Sequence, residues 1–245
     1  MKRYKLIIAY NGANFFGSQK QEALRTVQSE LERVLFEILF VKISTIFSGR
    51  TDKGVHALAQ VVVFDAIIPF EDEKLFVIIN RKLPLDIRVK SCECIENSFN
   101  PRFSSKVKTY QFKMKEISNY SVFEYDFYYF VESSIDVEKF NKIVSSVIGT
   151  HDFTSFKKSD CTNNEVIKTI YIARIIKHSS EYHFEISGSG FLKNMVRIIL
   201  EESLRECYGK ELEGHIKRRL SNPNIHVHKH LAPAQGLYLK EVFYE

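Results

Sequence analysis

Apolar residues recur at two different spacings along this chain, and the switches between them mark out its elements. The opening "RYKLIIAY" is rich in β-formers and stops at Asn11-Gly12, which predicts a strand followed by a turn. Val27, Leu31, Val34, Leu35, Ile38 and Leu39 then fall at helical spacing, so an amphipathic helix is expected from Thr26, its N-cap, to Phe40. "KISTIF" and "LAQVVVFDA" predict two strands. A second helix is expected over Asp72 to Lys82; it ends before Leu83-Pro84, because proline disfavours helical geometry in the residue ahead of it. "DIRVKSCECIE" returns as a strand.

After Pro101 the pattern restarts. In "KVKTYQFKMKE" the residues Lys108, Tyr110, Phe112 and Met114 share one face of a strand. "DVEKFNKIVSSVIG" carries Val137, Phe140, Ile143, Val144, Val147 and Ile148 at helical spacing, with Asp136 as N-cap and Gly149 beyond the end. "TIYIARIIKH" and "YHFEISGSG" predict strands, "FLKNMVRIILEESLREC" a helix, and "GLYLKEVFY" a closing strand. The expectation is an α+β fold of two pseudo-related halves, 1–104 and 105–245, each with a largely antiparallel or mixed sheet flanked by helices. No period of about 20 to 50 residues repeats in the letters.

Composition narrows the setting. With 245 residues, 44% of them hydrophobic, the chain can bury a substantial core. The basic-then-apolar start has too short an apolar run for a signal peptide and no small-residue cleavage site, and no run approaches the roughly 18 apolar residues of a membrane helix. A soluble, cytoplasmic protein with no membrane partner is expected. Cys92, Cys94, Cys161 and Cys207 do not form a zinc-site spacing and read as reduced thiols.

Net charge is only +5, but the cations cluster. Arg102, Lys106, Lys108, Lys113 and Lys115 form one acid-free run, and Lys217, Arg218, Arg219, Lys229 and Lys240 form another. Such runs fit a phosphate backbone, where each cation releases a counterion, as well as an ordinary solvated surface.

One short connection carries the densest chemistry. In "SGRTDKGVHA", Ser48 to Ala57, Gly49 and Gly54 bracket Arg50 and Asp52 between two strands. A neighbouring guanidinium favours an ionised carboxylate, which can act as nucleophile or general base. Taken alone the letters favour a turn, since aspartates often bond to nearby backbone amides.

The flanks change that balance. "YNGANFFGSQKQ", "TVQSELE", "SGRTDKGVHALAQVVVFD", "LPLDIRV", "FNPRFSSKVKTYQF", "GTHDFTSF", "GSGFLKNMVR" and "APAQGLYL" occur in this order. The series resembles the tRNA pseudouridine synthase A family over nearly the whole chain. The resemblance implies an enzyme that isomerises uridine to pseudouridine without a cofactor or metal, with a basic cleft between its halves, acting as a homodimer on the 3′ side of the tRNA anticodon stem-loop. It implies that Asp52 is the catalytic aspartate, that Arg197 pairs with it, that Tyr110 packs against the target base, and that Arg50 helps hold the flipped-out nucleotide. Lys53 is placed with the substrate contacts, and His56 with either RNA contact or the local structure of the loop. Two rivals remain: a synthase acting on ribosomal or another structured RNA, and an RNA-binding protein that no longer catalyses.

Residue chemistry agrees with the enzyme. The isomerisation needs an oriented carboxylate and a base drawn out of its stack, for which Tyr110 offers a face. In its own helix, Arg197 could equally pair with Glu201 four residues on. His226, His228 and His230 alternate as metal ligands could, but no carboxylate or cysteine is near them in the sequence, so a basic loop is expected instead. His151 and Asp152 are expected to pack and hydrogen-bond. The chain departs from the family pattern at Ser18, where tryptophan is usual, at Lys53 and Ala59, usually small and glycine, and after Arg197, where Ile198 and Glu201-Glu202 stand.

Overall fold

The computed structural model describes residues 1–158, 165–224 and 228–244. The chain runs β1 (Lys2–Tyr10), α1 (Val27–Leu39), β2 (Thr45–Phe47), β3 (His56–Ala66), α2 (Asp72–Lys82), β4 (Ile87–Ile95), β5 (Val107–Glu116), β6 (Tyr129–Val131), α3 (Val137–Val144), β7 (Gly149–Asp152), β8 (Ile167–His178), β9 (Glu181–Gly188), α4 (Met195–Cys207), α5 (His215–Ser221) and β10 (Leu237–Phe243). The class is mixed α+β, as expected. Among the described residues no helix is long and apolar enough to cross a membrane.

Two compact units form, Met1–Lys106 with Tyr238–Glu245, and Val107–Leu237. In the first, the strand order is β4-β1-β3-β10. β1 is antiparallel to both neighbours, with Leu6 opposite Val62 on one side and Cys92 on the other. Its even-numbered residues Tyr4, Leu6, Ile8 and Tyr10 face the core, the two-residue period of a strand with one buried face. β3 holds β1 along one edge. On its other edge it takes β2 over Val62–Phe64 and, in parallel, β10 over His56–Ala57. The closing strand, placed on sequence grounds with residues 105–245, therefore completes the sheet of the first unit.

Helix α1 starts where its letters say. The Thr26 hydroxyl accepts the N–H of Ser29 at 3.1 Å and the Ser29 hydroxyl accepts that of Thr26 at 3.0 Å, a reciprocal cap that satisfies two orphan donors. Val27, Leu31, Val34 and Leu35 are its buried face.

The second unit orders its strands β5-β9-β8-β7, with β6 parallel to the end of β5. Phe112, Met114, Tyr182, Phe184, Ile186 and Ile175 are buried on one face of this sheet, where the Phe140 ring of α3 packs edge to face on Phe184 at 5.8 Å. α3 is capped by Asp136, whose carboxylate accepts the Lys139 N–H at 3.0 Å. It stops at Val144, earlier than its apolar spacing suggested. Ser145–Val147 tighten into a 3₁₀ turn, and Gly149 opens β7 with a φ of +112°. His151 and Asp152 act locally: a ring nitrogen of His151 lies 3.1 Å from the Ile148 carbonyl, and Asp152 accepts the Thr154 N–H at 2.8 Å.

Candidate active site

The connection from β2 to β3 is a tight, heavily tied loop. Asp52 to Val55 form a turn in which the Asp52 carbonyl accepts the Val55 N–H at 3.1 Å, with Gly54 at a φ of +80°. A positive φ at the third position alone is the type II pattern, which glycine adopts without steric cost. The start of the loop is fixed by a side chain from the strand that follows. Gln60, fully buried, donates to the Gly49 carbonyl at 2.9 Å and accepts from the Ser48 hydroxyl.

A second segment, residues 10–18, grips the same loop from the side. The Ser18 N–H donates to the Thr51 carbonyl at 3.1 Å, and the Ser18 hydroxyl accepts the Thr51 N–H at 2.9 Å. The Tyr10 hydroxyl meets the Thr51 hydroxyl at 2.8 Å. Burial pushes the Tyr10 phenol up to about 12, against the pull of its Thr51, Gln60 and Ser18 contacts, so it stays protonated at neutral pH. Two glycines allow the close approach. A Cβ on Gly17, whose φ is +97°, would lie 2.8 Å from the Thr51 carbonyl oxygen, and one on Gly12 would lie 2.0 Å from that of Val55.

On this frame the four loop residues singled out by the sequence take different places. Asp52 is half-buried, and Arg50 and Lys53 are exposed beside it. The Lys53 ammonium lies 4.3 Å from the centroid of the Phe16 ring, a cation–π contact that parks a charge next to the turn. His56 is buried. Its Nδ1 accepts the Gly12 N–H at 3.0 Å and its ring stacks on Tyr238 at 4.6 Å. Of the two roles expected of His56, these contacts are of the kind that build the loop.

Tyr110 and Arg197 belong to the second unit. Tyr110 is half-buried on β5, opposite Ile186 of β9, and Phe191 meets its ring edge-on at 5.2 Å. Arg197 lies in the first turn of α4, which opens after Asn194 in a left-handed conformation. Its Nε donates to the Ala232 carbonyl at 2.7 Å, and the Ala232 N–H returns to the Arg197 carbonyl at 3.4 Å. Glu201, the expected helical partner of Arg197, accepts the Tyr129 hydroxyl at 2.9 Å.

The two cation runs divide into surface and core. Arg219 is 1% exposed: one terminal nitrogen lies 2.7 Å from Glu202, the other donates to the Ser155 carbonyl at 2.6 Å, and the guanidinium covers the Phe156 ring at 4.8 Å. Lys115 is buried against Glu124 at 2.8 Å and Glu181 at 3.4 Å. Neither faces a phosphate backbone. Arg102, Lys106, Lys217 and Arg218 stay exposed.

The histidine run also looks different in three dimensions. His226 lies outside the described residues, as does Cys161, and His228 and His230 are not in a strand. The sequence shows no carboxylate near them, but the fold brings one: Glu202 accepts the His230 N–H at 2.8 Å. Ligand atoms of Glu202, Glu211 and His230 fall within 4.8 Å of one another. The Arg219 guanidinium on Glu202 already supplies the positive charge a cation would bring.

Sequence reasoning missed Tyr10, Ser18, Thr51 and Gln60 as the frame of the loop. One signal was available. A glutamine inside the apolar run "LAQVVVFDA" must find a polar partner when buried, and Gln60 finds two at the loop.

Comparison with known proteins converges on one group. A family model described as tRNA pseudouridine synthase matches residues 6–104 and 143–245. A tRNA pseudouridine synthase A of Anoxybacillus flavithermus is 40% identical over 248 residues, covering 100% of both chains. One from a Geobacillus species is 38% identical over 245 residues, 100% of this chain and 99% of its own. One from Malacoplasma penetrans is 40% identical over 98% of this chain and 99% of its own. Among solved structures, a crystal structure of a Cbf5-Nop10-Gar1 complex aligns with 96% of this chain and 57% of its own at a TM-score of 0.37 and 9% identity, too distant to carry an argument.

Proposed function

The chain belongs to the tRNA pseudouridine synthase family and isomerises uridine to pseudouridine in tRNA; we propose that Asp52 carries the reaction, at uridines on the 3′ side of the anticodon stem-loop. The reaction breaks the bond from the ribose to N1, turns the base and rejoins it through C5. One proton leaves C5 and N1 gains one, so no atom or electron is passed to a second reactant and no cofactor or metal is required by the balance.

The observation that carries this reading is the Asp52 turn. A carboxylate that engages a base or a sugar must be held within a fraction of an ångström of its target. Here the backbone on either side of Asp52 is tied by Ser18, Gln60 and the turn's own hydrogen bond, while the side chain is half-buried at the protein surface. Exposed Arg50 and Lys53 suit a nucleotide phosphate. Tyr110 serves as the face against which the base packs. Arg197, whose Nε is anchored on the Ala232 carbonyl, is the second residue assigned to the reaction. The protein works in the cytoplasm as a homodimer.

Pseudouridine maps of total RNA from cells with and without the gene test the substrate. Loss confined to the anticodon stem-loop is the expected result. Loss at ribosomal positions would move the target, and no loss anywhere would return the chain to RNA binding alone.

A further inference from the structure

Ser18 stands where the family pattern has tryptophan, and it is not a passive replacement. At 1% exposure it sits under the loop and makes two bonds to one residue, N–H to the Thr51 carbonyl and hydroxyl to the Thr51 amide. Those two bonds fix the peptide groups on both sides of Thr51, the second of which is the peptide that leads into Asp52. Tyr10 closes the third approach through the Thr51 side chain. A tryptophan indole has a single N–H donor and no acceptor, so it could not take the Thr51 amide as the serine oxygen does.

We infer that Ser18, with Tyr10, is a positioning residue of this enzyme: the pair orients the Asp52 carboxylate by clamping Thr51. The inference rests on the reading that Asp52 is the catalytic carboxylate. Removal of the serine hydroxyl leaves the Thr51 N–H buried without its acceptor and unties the Arg50–Thr51 peptide, so that the Ser18 N–H on the Thr51 carbonyl must hold the approach to Asp52 without it. A shift of about 1 Å at a reacting group costs on the order of 100-fold in rate. Substrate affinity, shared between Arg50 and Lys53 and the exposed cations of the two basic runs such as Arg102, Lys106, Lys217 and Arg218, should change far less.

The test is pseudouridine formation on a tRNA transcript with purified full-length protein, run with Ser18→Ala, Ser18→Thr, Tyr10→Phe and Asp52→Asn, each checked for folding by thermal melting. Ser18→Ala should lower kcat about 10- to 100-fold with KM and tRNA affinity within twofold. Ser18→Thr, which keeps the hydroxyl, should recover most of that loss. Tyr10→Phe should lower kcat by a smaller factor, again at constant KM, and it carries the test if Ser18→Ala does not fold. A wild-type kcat per folded molecule in both Ser18→Ala and Tyr10→Phe, beside an inactive Asp52→Asn, overturns the inference and leaves the Asp52 reading intact. An active Asp52→Asn overturns the reading beneath it.

Discussion

Glu202 is fully buried on α4, with the Arg219 guanidinium at 2.7 Å, a ring nitrogen of His215 at 2.9 Å and the His230 N–H at 2.8 Å. Asp52 is half-buried on a turn whose neighbouring backbone is held by Ser18 and Gln60. Burial alone would raise the Glu202 carboxyl, but the His215, His230 and Arg219 contacts outweigh it and hold the group down to about 2. Its ionisation is spent on joining α4 to α5 and to the segment before β10. Glu206 on the next turn works the same way, accepting the Gly214 N–H at 2.7 Å and the Ile216 N–H at 3.0 Å at the start of α5. A carboxylate used for structure has its own oxygens saturated by permanent partners. At Asp52 it is the neighbouring backbone that Ser18 and Gln60 hold.

Substitutions at the two acids should separate these roles. Asp52→Asn should lower pseudouridine formation by roughly 1,000-fold or more. Binding of tRNA, followed by filter retention, should hold or improve because a negative charge near phosphates is gone. A near-wild-type rate would break the contrast at its most important point. Glu202→Ala should do the reverse. Leaving Arg219 and His215 buried without their partner costs about 3–5 kcal/mol. In a chain of this size that lowers Tm by on the order of 10 °C, seen by calorimetry, with kcat per folded molecule kept.

The smallest effect is a pH dependence. The folded-state value of Glu202, about 2, lies below its ordinary 4.5, so its stabilisation is fully present above pH 4.5 and is lost as pH falls through that window towards 2. Denaturant melts of the wild type and Glu202→Gln should therefore converge between about pH 5 and pH 2. A constant gap across that range would show that Glu202 stabilises by packing alone.

Much of the scaffold was legible because its signals are local. Thr26 and Asp136 cap their helices as their letters predict, α2 spans its expected residues, and β1 alternates into the core. β6, β7 and α5 were not seen, since three, four and seven residues are too few to establish a period. α3 ended early because Ser145–Val147 form a 3₁₀ turn, and with Val147 inside it and Ile148 just after it the apolar spacing cannot distinguish that turn from another helical one. Which cations of the two runs would be buried was not legible for a different reason. A charge pattern records which residues are present, and it cannot say that Arg219 will meet Glu202 or that Lys115 will meet Glu124.

The sequence by itself determined the family, the α+β class, the caps and the loop that presents Asp52, because each of these is written in neighbouring letters or in motifs read in order. Only the tertiary structure decided what holds that loop. Ser18 and Thr51 are 33 residues apart and Tyr10 and Thr51 are 41. Their pairing depends on β1 lying beside β3 in a particular register and on two glycines permitting backbone contact. The Ser18 departure looked incidental in the letters. In the fold it is a hydrogen-bond acceptor delivered to the residue next to Asp52, and it takes a long-range contact to show it.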